Sequence, residues 1–104
     1  MKTIITSTEN KIDALFDKRF GRAAWFCLLD EQTGETKFYE NNHADATSGA
    51  GTKAAELVVE LGAEKVISGD FGPKAKNLLE KFNIQMVIFE EEDLTVRNII
   101  ERIK

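Results

Sequence analysis

Hydrophobic positions along the chain predict five strands and three helices. Short runs rich in β-branched and aromatic residues predict strands at residues 2–7, 23–29, 36–40, 65–68 and 85–89. Three later segments repeat apolar residues at helical spacing: Ala54, Leu57, Val58 and Leu61; Ala75, Leu78, Leu79 and Phe82; Val96, Ile99, Ile100 and Ile103. The predicted order of elements is therefore βββαβαβα, in which Trp25 and all seven phenylalanines are expected to lie in the core.

This order predicts an α/β fold with a five-stranded mixed sheet. Residues 30–35 have turn chemistry, so the second and third strands form a hairpin. Right-handed crossovers after the hairpin make the first, third, fourth and fifth strands parallel. One edge of the sheet then brings together residues 6–8, 20–23, 49–52 and 69–72, and ligands of open α/β sheets favour that edge.

A glycine turn leads into the first predicted helix. Gly49 and Gly51 are separated by one residue, with Thr52 and Lys53 following, so the turn presents bare backbone at a helix entrance. Unpaired N–H groups and the helix dipole suit an anion there. The segment matches neither a Walker loop nor a dinucleotide-binding loop, and a tight turn for helix packing is the alternative interpretation.

Three basic residues lie close together in the otherwise acidic chain, on the predicted loop before the second strand. Arg22 is predicted either to contact a ligand at the glycine edge or to be a solvated surface charge. Lys18 and Arg19 fit a ligand contact as well, although a basic pair on a loop more often serves solubility or steering.

Length, charge and cysteine content narrow the class of protein. The 104 residues fit one domain spanning residues 1–104, and the formal net charge of −4 argues against general binding to nucleic acid or anionic membrane. The single Cys27 cannot form an internal disulfide and is expected to be a buried, unreactive thiol. No signal peptide or membrane span is recognisable, so we expect a cytoplasmic protein.

The candidate chemistry does not indicate catalysis. His43 is the only imidazole, which is interpreted either as a solvated loop residue or as a single metal or cluster ligand. No Ser/His/Asp set or Cys/His pair supports covalent catalysis. The order βββαβαβα is shared with ribonuclease H-like nucleases, but the first strand carries no acid to hold their metal ions. We therefore expect a protein that is not an enzyme.

Three motifs together resemble a known family. They are Phe20-Gly21-Arg22-Ala23, then Gly49-Ala50-Gly51 followed by Lys53-Ala54-Ala55, and Ile67-Ser68-Gly69-Asp70-Phe71-Gly72-Pro73-Lys74-Ala75. Thr95-Val96-Arg97 also matches the family's last helix. In this order and spacing they resemble the dinitrogenase iron-molybdenum cofactor biosynthesis family, whose small domains carry nitrogenase cofactor precursors and related metal-sulfur clusters.

The resemblance implies a three-layer, ribonuclease H-like fold without nuclease activity. It also implies non-covalent holding of an anionic iron-sulfur or molybdenum-sulfur cluster or cofactor precursor, with cluster-assembly proteins as partners. The residues expected to form that site are Arg19, Arg22, Gly49, Gly51, Thr52 and Gly69. Family members often carry histidine where this chain has Arg19 and Ser48, so we expect electrostatic holding of the cluster rather than coordination.

Two other functions fit the same glycine turns. The first is a binding module for a small organic anion or nucleotide, with no metal involved. The second is a protein-interaction domain in which the site is vestigial, as the absence of both histidines would allow.

Overall fold

The computed structural model describes residues 1–104 and contains five strands and three helices. The strands are β1 (Lys2–Ser7), β2 (Trp25–Asp30), β3 (Thr36–Glu40), β4 (Lys65–Ser68) and β5 (Gln85–Ile88). The helices are α1 (Ala50–Glu60), α2 (Pro73–Lys81) and α3 (Val96–Ile103). Along the chain they follow one another as β1, β2, β3, α1, β4, α2, β5 and α3. None of the helices is both long enough and apolar enough to cross a membrane.

The strands form one mixed sheet in the order β3-β2-β1-β4-β5. β2 pairs antiparallel with β1 and β3, whereas β4 pairs parallel with β1 and β5. The predicted directions of the five strands are therefore confirmed. The carboxyl ends of β1, β3, β4 and β5 lie at one edge of the sheet, together with the start of β2.

Helices cover both faces of the sheet and make three layers. Alternation along β1 sends Ile4 to one face and Ile5 to the other, because successive side chains of a strand point to opposite sides. Ile4 packs in a cluster with Ala54 and Val58 of α1 and with α2 residues. Ile5 packs in a second cluster with residues of α3. The α1/α2 face and the α3 face are therefore two separate cores.

Helix boundaries differ from the expected ones where the glycines lie. α1 begins at Ala50, so Gly51 lies within its first turn, and Gly49 precedes it with a φ of 78°. Gly62 follows α1 with a φ of 76°, as expected for a helix-ending glycine. Thr95 caps α3, since its side chain accepts a hydrogen bond from the N–H of Asn98.

Two aromatic residues do not occupy the core positions that the sequence predicts. Phe82 is 51% exposed, because it is the C-cap that follows α2. Trp25 is half-buried and belongs to neither core cluster. It is the first residue of β2, and the helices that cover the sheet do not cover this end of the strand. The expectation that Trp25 and every phenylalanine are core residues is wrong.

Candidate functional site

The predicted glycine edge exists, and side chains at the ends of β1 and β4 hold it together. The hydroxyl of Thr6 lies 2.8 Å from that of Ser68 and donates to the backbone oxygen of Asp17. Thr6, Ser68 and Asp17 are all buried. This buried polar network fixes the loop before β2 over the ends of the two central parallel strands.

Gly21 and Gly51 bring that loop against the entrance of α1. A Cβ atom on Gly21 would lie 2.8 Å from the backbone nitrogen of Gly51 and 2.9 Å from its Cα, closer than real Cβ contacts. Gly21 is therefore the residue that must lack a Cβ, and the entrance of α1 at Gly51 packs against it, in line with the packing interpretation. Gly49 has a different role, since nothing lies within 4 Å of its Cβ position, and its positive φ is what favours glycine.

Gly69 allows a second close approach. A Cβ atom there would lie 2.3 Å from Cβ of Lys18 and 2.6 Å from its backbone oxygen. The connection from β4 to α2 therefore rests directly on the loop before β2. The side chain of Lys18 extends away to Glu92 and to the backbone oxygen of Glu90, and so ties the acidic loop after β5 to the same edge.

The N-termini of α1 and α2 lie side by side at this edge. A Cβ atom built on Gly51 would be in ordinary contact, at 3.4 Å, with the Cβ of Ala75 in the first turn of α2. Neither helix has a side-chain cap, and neither first turn contains an acidic residue. Thr52 is half-buried in the first turn of α1. Two sets of unpaired N–H groups and two positive dipole ends therefore converge, with no acidic residue in either first turn to compensate them.

Arg22 anchors the loop that leads to α1. Its Nη1 donates to the backbone oxygens of Ala44 and Ala46, at 2.9 and 2.5 Å, while its Nε and Nη2 make no hydrogen bond within the chain. A guanidinium group has five N–H donors, so the side chain can hold the loop and still offer donors outward. Arg22 therefore lies at the predicted edge, with a structural contact that the sequence did not indicate.

Arg19 pairs with a buried carboxylate. Its Nε and Nη2 donate to the two carboxylate oxygens of Asp17, at 3.1 and 3.0 Å, in a bidentate pair. The hydrogen bond to Asp17, followed by the charge of that residue, raises the pKa of Arg19. The side chain of Arg19 remains 66% exposed, but Asp17 already balances its charge. Arg19 is therefore a weaker anion contact than Arg22.

Asn41 is a residue of the site that sequence reasoning missed. Its buried amide donates to the backbone oxygens of Gly21 and Ala23, at 3.1 and 2.8 Å, and its carbonyl oxygen accepts the N–H of His43 at 3.1 Å. It therefore joins the Phe-Gly-Arg segment to the loop before α1. The only available signal was an asparagine immediately after a strand, a common turn residue.

A shallow groove lies beside Asn41 and contains both arginines. Its lining also includes Trp25, Glu40 and Asp45. The carboxylates of Glu40 and Asp45 oppose the positive charge, so the groove itself is less favourable for an anion than the helix N-termini. Trp25 forms an aromatic wall of the groove, so its fluorescence is a probe for binding there.

The side chains do not form a metal-coordinating site. No group of three or more His, Cys, Asp or Glu side chains is close enough to hold a metal ion. His43 is exposed, and burial raises the pKa of the Cys27 thiol to about 12, which keeps it from becoming a thiolate ligand. His43 belongs to no group of three such side chains, and its metal role stays a prediction. The donors present at the edge, backbone N–H groups and Arg22, fit an anion held through its outer atoms.

Known proteins resemble this chain over its full length. The family described as dinitrogenase iron-molybdenum cofactor matches residues 1–104. The apo form of the orange protein from Desulfovibrio gigas is 33% identical, with a TM-score of 0.91 over 98% of this chain and 85% of that one. A Thermotoga protein of the DUF35 family is 28% identical, with a TM-score of 0.84 and the same coverages.

A curated relative matches only part of the chain. It is an uncharacterised protein of Methanocaldococcus jannaschii, 30% identical over 70 residues. The matched segment covers 64% of this chain and 59% of the relative, so it spans less than two thirds of that protein.

Proposed function

The chain belongs to the dinitrogenase iron-molybdenum cofactor family, and from that premise we propose that it carries an anionic metal-sulfur cluster or cofactor precursor as cargo. It does so without catalysing a reaction on the cargo. Holding is electrostatic, through hydrogen-bond donors that contact terminal sulfide or other outer atoms of an iron-sulfur or molybdenum-sulfur species. The ribonuclease H-like classification of the fold belongs to the same proposal, as do cluster-assembly proteins as partners.

The pair of adjacent, uncapped helix N-termini carries this proposal. The first turns of α1 and α2 contain no acid to balance their dipoles, and Gly51 and Ala75 bring them into contact. A single N-terminus behaves as roughly half a positive charge. Two converging ends therefore favour a multiply charged anion more than either end could alone.

Five of the six predicted site residues have distinct parts in this arrangement, whereas Arg19 is already paired with Asp17. Gly49 supplies the backbone turn into α1, and the backbone of Gly51 receives the close approach of Gly21 from the loop before β2. Gly69 seats the start of the β4–α2 connection against that loop. Thr52 offers its hydroxyl from the first turn of α1, and Arg22 offers the donors that the loop carbonyls leave free.

The test places a negative charge in the first turn of α1. Thr52→Glu should favour the helix through its dipole, because acids stabilise helix N-termini, yet it should repel an anionic cargo. We expect about a tenfold rise in the dissociation constant for tetrathiomolybdate, which corresponds to about 1.4 kcal/mol. Anaerobic titration followed by absorption spectroscopy measures the affinity, and thermal unfolding measures the stability.

Thr33→Glu is the matched control, since it makes the same change in the β2–β3 turn at the opposite end of the sheet. Equal affinity losses in the two variants would mean that the helix entrance is not the site. Inorganic pyrophosphate tests the organic-anion or nucleotide alternative, which tighter binding of pyrophosphate than of tetrathiomolybdate would favour. Binding of neither anion by the wild-type protein would refute the carrier function and favour a protein-interaction domain.

A further inference from the structure

The two edge strands of the sheet, β3 and β5, differ in how well they are protected against pairing with another chain. β3 carries the exposed charges Lys37 and Glu40, which discourage pairing with another strand. β5 has the sequence QMVI, with neither a charged residue nor a proline. Folded proteins usually guard such edges with charge, proline or a short strand, and β5 is protected only by its length of four residues, so its edge can still pair with another chain.

Met86 and Ile88 carry the free hydrogen-bonding groups of β5. Gln85 and Phe89 donate their N–H groups to Glu64 and Ser68 on the β4 side, each at 3.0 Å. Residues of a parallel strand alternate between facing the neighbouring strand and facing away from it. The N–H and C=O groups of Met86 and Ile88 therefore point away from the sheet, where no further strand follows.

Exposed apolar side chains flank these groups. Ile88 is 54% exposed, and Phe82, which ends α2 just before β5, is 51% exposed. They are two of the four large apolar side chains that the protein exposes to this degree. Met86 packs into the α1/α2 core, so Ile88, two residues later in the strand, lies on the same face. The edge thus combines free backbone groups with apolar surface.

We propose that β5 pairs antiparallel with β5 of a second copy of this chain. Met86 of each copy lies opposite Ile88 of the other, so all four outward-facing backbone groups of each strand are paired. Val87 then lies on the twofold axis opposite its own copy. Symmetric pairing of this kind needs the same surface on both partners, which a single self-complementary strand provides.

Charge at the two ends of β5 favours this partner and direction. Lys81 precedes the strand and Glu90 follows it, and neither forms an ion pair within the chain. Antiparallel pairing brings Lys81 of one copy towards the acidic segment 90–93 of the other. Parallel pairing would place like charges together, which costs affinity.

Cysteine substitution tests both the partner and the register. Facing Cα atoms in the pair at Val87 would be about 4.5 Å apart, within the range that a disulfide bridges. Val87→Cys should therefore form a covalent dimer when oxidised glutathione accepts the two electrons and two protons. Gln85→Cys is the matched control on the same face of the strand, because its two copies would be offset by about 13 Å. Cys27 gives little background, since burial suppresses its reactivity.

Analytical ultracentrifugation tests the pairing without new cysteines. The wild-type protein should show a concentration-dependent monomer–dimer equilibrium, which Ile88→Lys weakens by about tenfold or more. Leu15→Lys, at a similarly exposed apolar residue outside the sheet, should leave the equilibrium unchanged. A wild-type protein that stays monomeric at every concentration, or equal cross-linking of the two cysteine variants, would overturn the proposal.

Discussion

Replacing Gly69 with alanine tests the close approach that builds the candidate site. The new Cβ would lie 2.3 Å from Cβ, 2.6 Å from the backbone oxygen and 2.7 Å from Cα of Lys18, whereas ordinary contacts begin at 3.4 Å. Two of these three atoms belong to the backbone, so a side-chain rotation cannot relieve the overlap. Overpacking of this kind costs about 1–3 kcal/mol, and we expect a loss near the upper end.

For a domain of this size, such a loss lowers the melting temperature by about 12 °C or more. Urea unfolding followed by circular dichroism measures the change in free energy of unfolding. Gly72→Ala is the matched control in the same connection, because its φ is −66° and no atom lies within 4 Å of its Cβ position. It should cost no more than about 1 kcal/mol, because its effect is limited to the N-cap of α2, where alanine is less favourable than glycine. If Gly69→Ala is as stable as this control, the loop before β2 does not rest on the β4–α2 connection.

Two further predictions concern titratable groups in the sheet. Because burial raises the pKa of Cys27 to about 12, the folded protein should react with a thiol reagent at about pH 8 only at its unfolding rate, and rapid labelling would contradict the packing of β2. The hydrogen bond from Thr3, then the contact with Lys65, lowers the pKa of Glu31 from its ordinary value of 4.5. Glu31 therefore stabilises the fold above pH 4.5, and this stabilisation is lost as the pH falls through its lowered folded pKa. Glu31→Gln should cost stability at about pH 7 and progressively less in acid, and a cost independent of pH in urea unfolding would refute this role.

Periodicity was sufficient to predict the elements and strand directions because both depend on local properties of the chain. Apolar spacing identified α1, α2 and α3, and right-handed crossovers then left few arrangements for β4 and β5. The same reasoning failed for Trp25. A continuous apolar run indicates a buried strand, but it does not say which residue lies at the edge of the sheet, where neighbouring elements stop covering it.

The sequence predicted which segments meet at the site but not the contacts between side chains. Arg22 reaches carbonyl groups more than twenty positions away, and Gly69 meets Lys18 across fifty-one positions. Contacts of this kind depend on the final geometry of two loops, and no local pattern encodes them. The Arg19–Asp17 pair is closer in sequence, yet its bidentate form depends on the burial of Asp17 beneath the edge.

The structure also changes the relation between packing and anion binding at the glycine turn. From the sequence, the turn was either an anion site or a tight turn for helix packing. In the structure, the packing itself places the two helix N-termini to which the proposed anion would bind. Contact between Gly21 and Gly51 holds the entrance of α1 in place, and Gly51 reaches Ala75, so that two helix N-termini converge. Arg22 positions the loop before α1 as well as offering free donors. Loss of affinity in Arg22→Ala would therefore not separate a ligand contact from a displaced loop. A charge added at Thr52 leaves those loop contacts in place, so it tests the helix entrance directly.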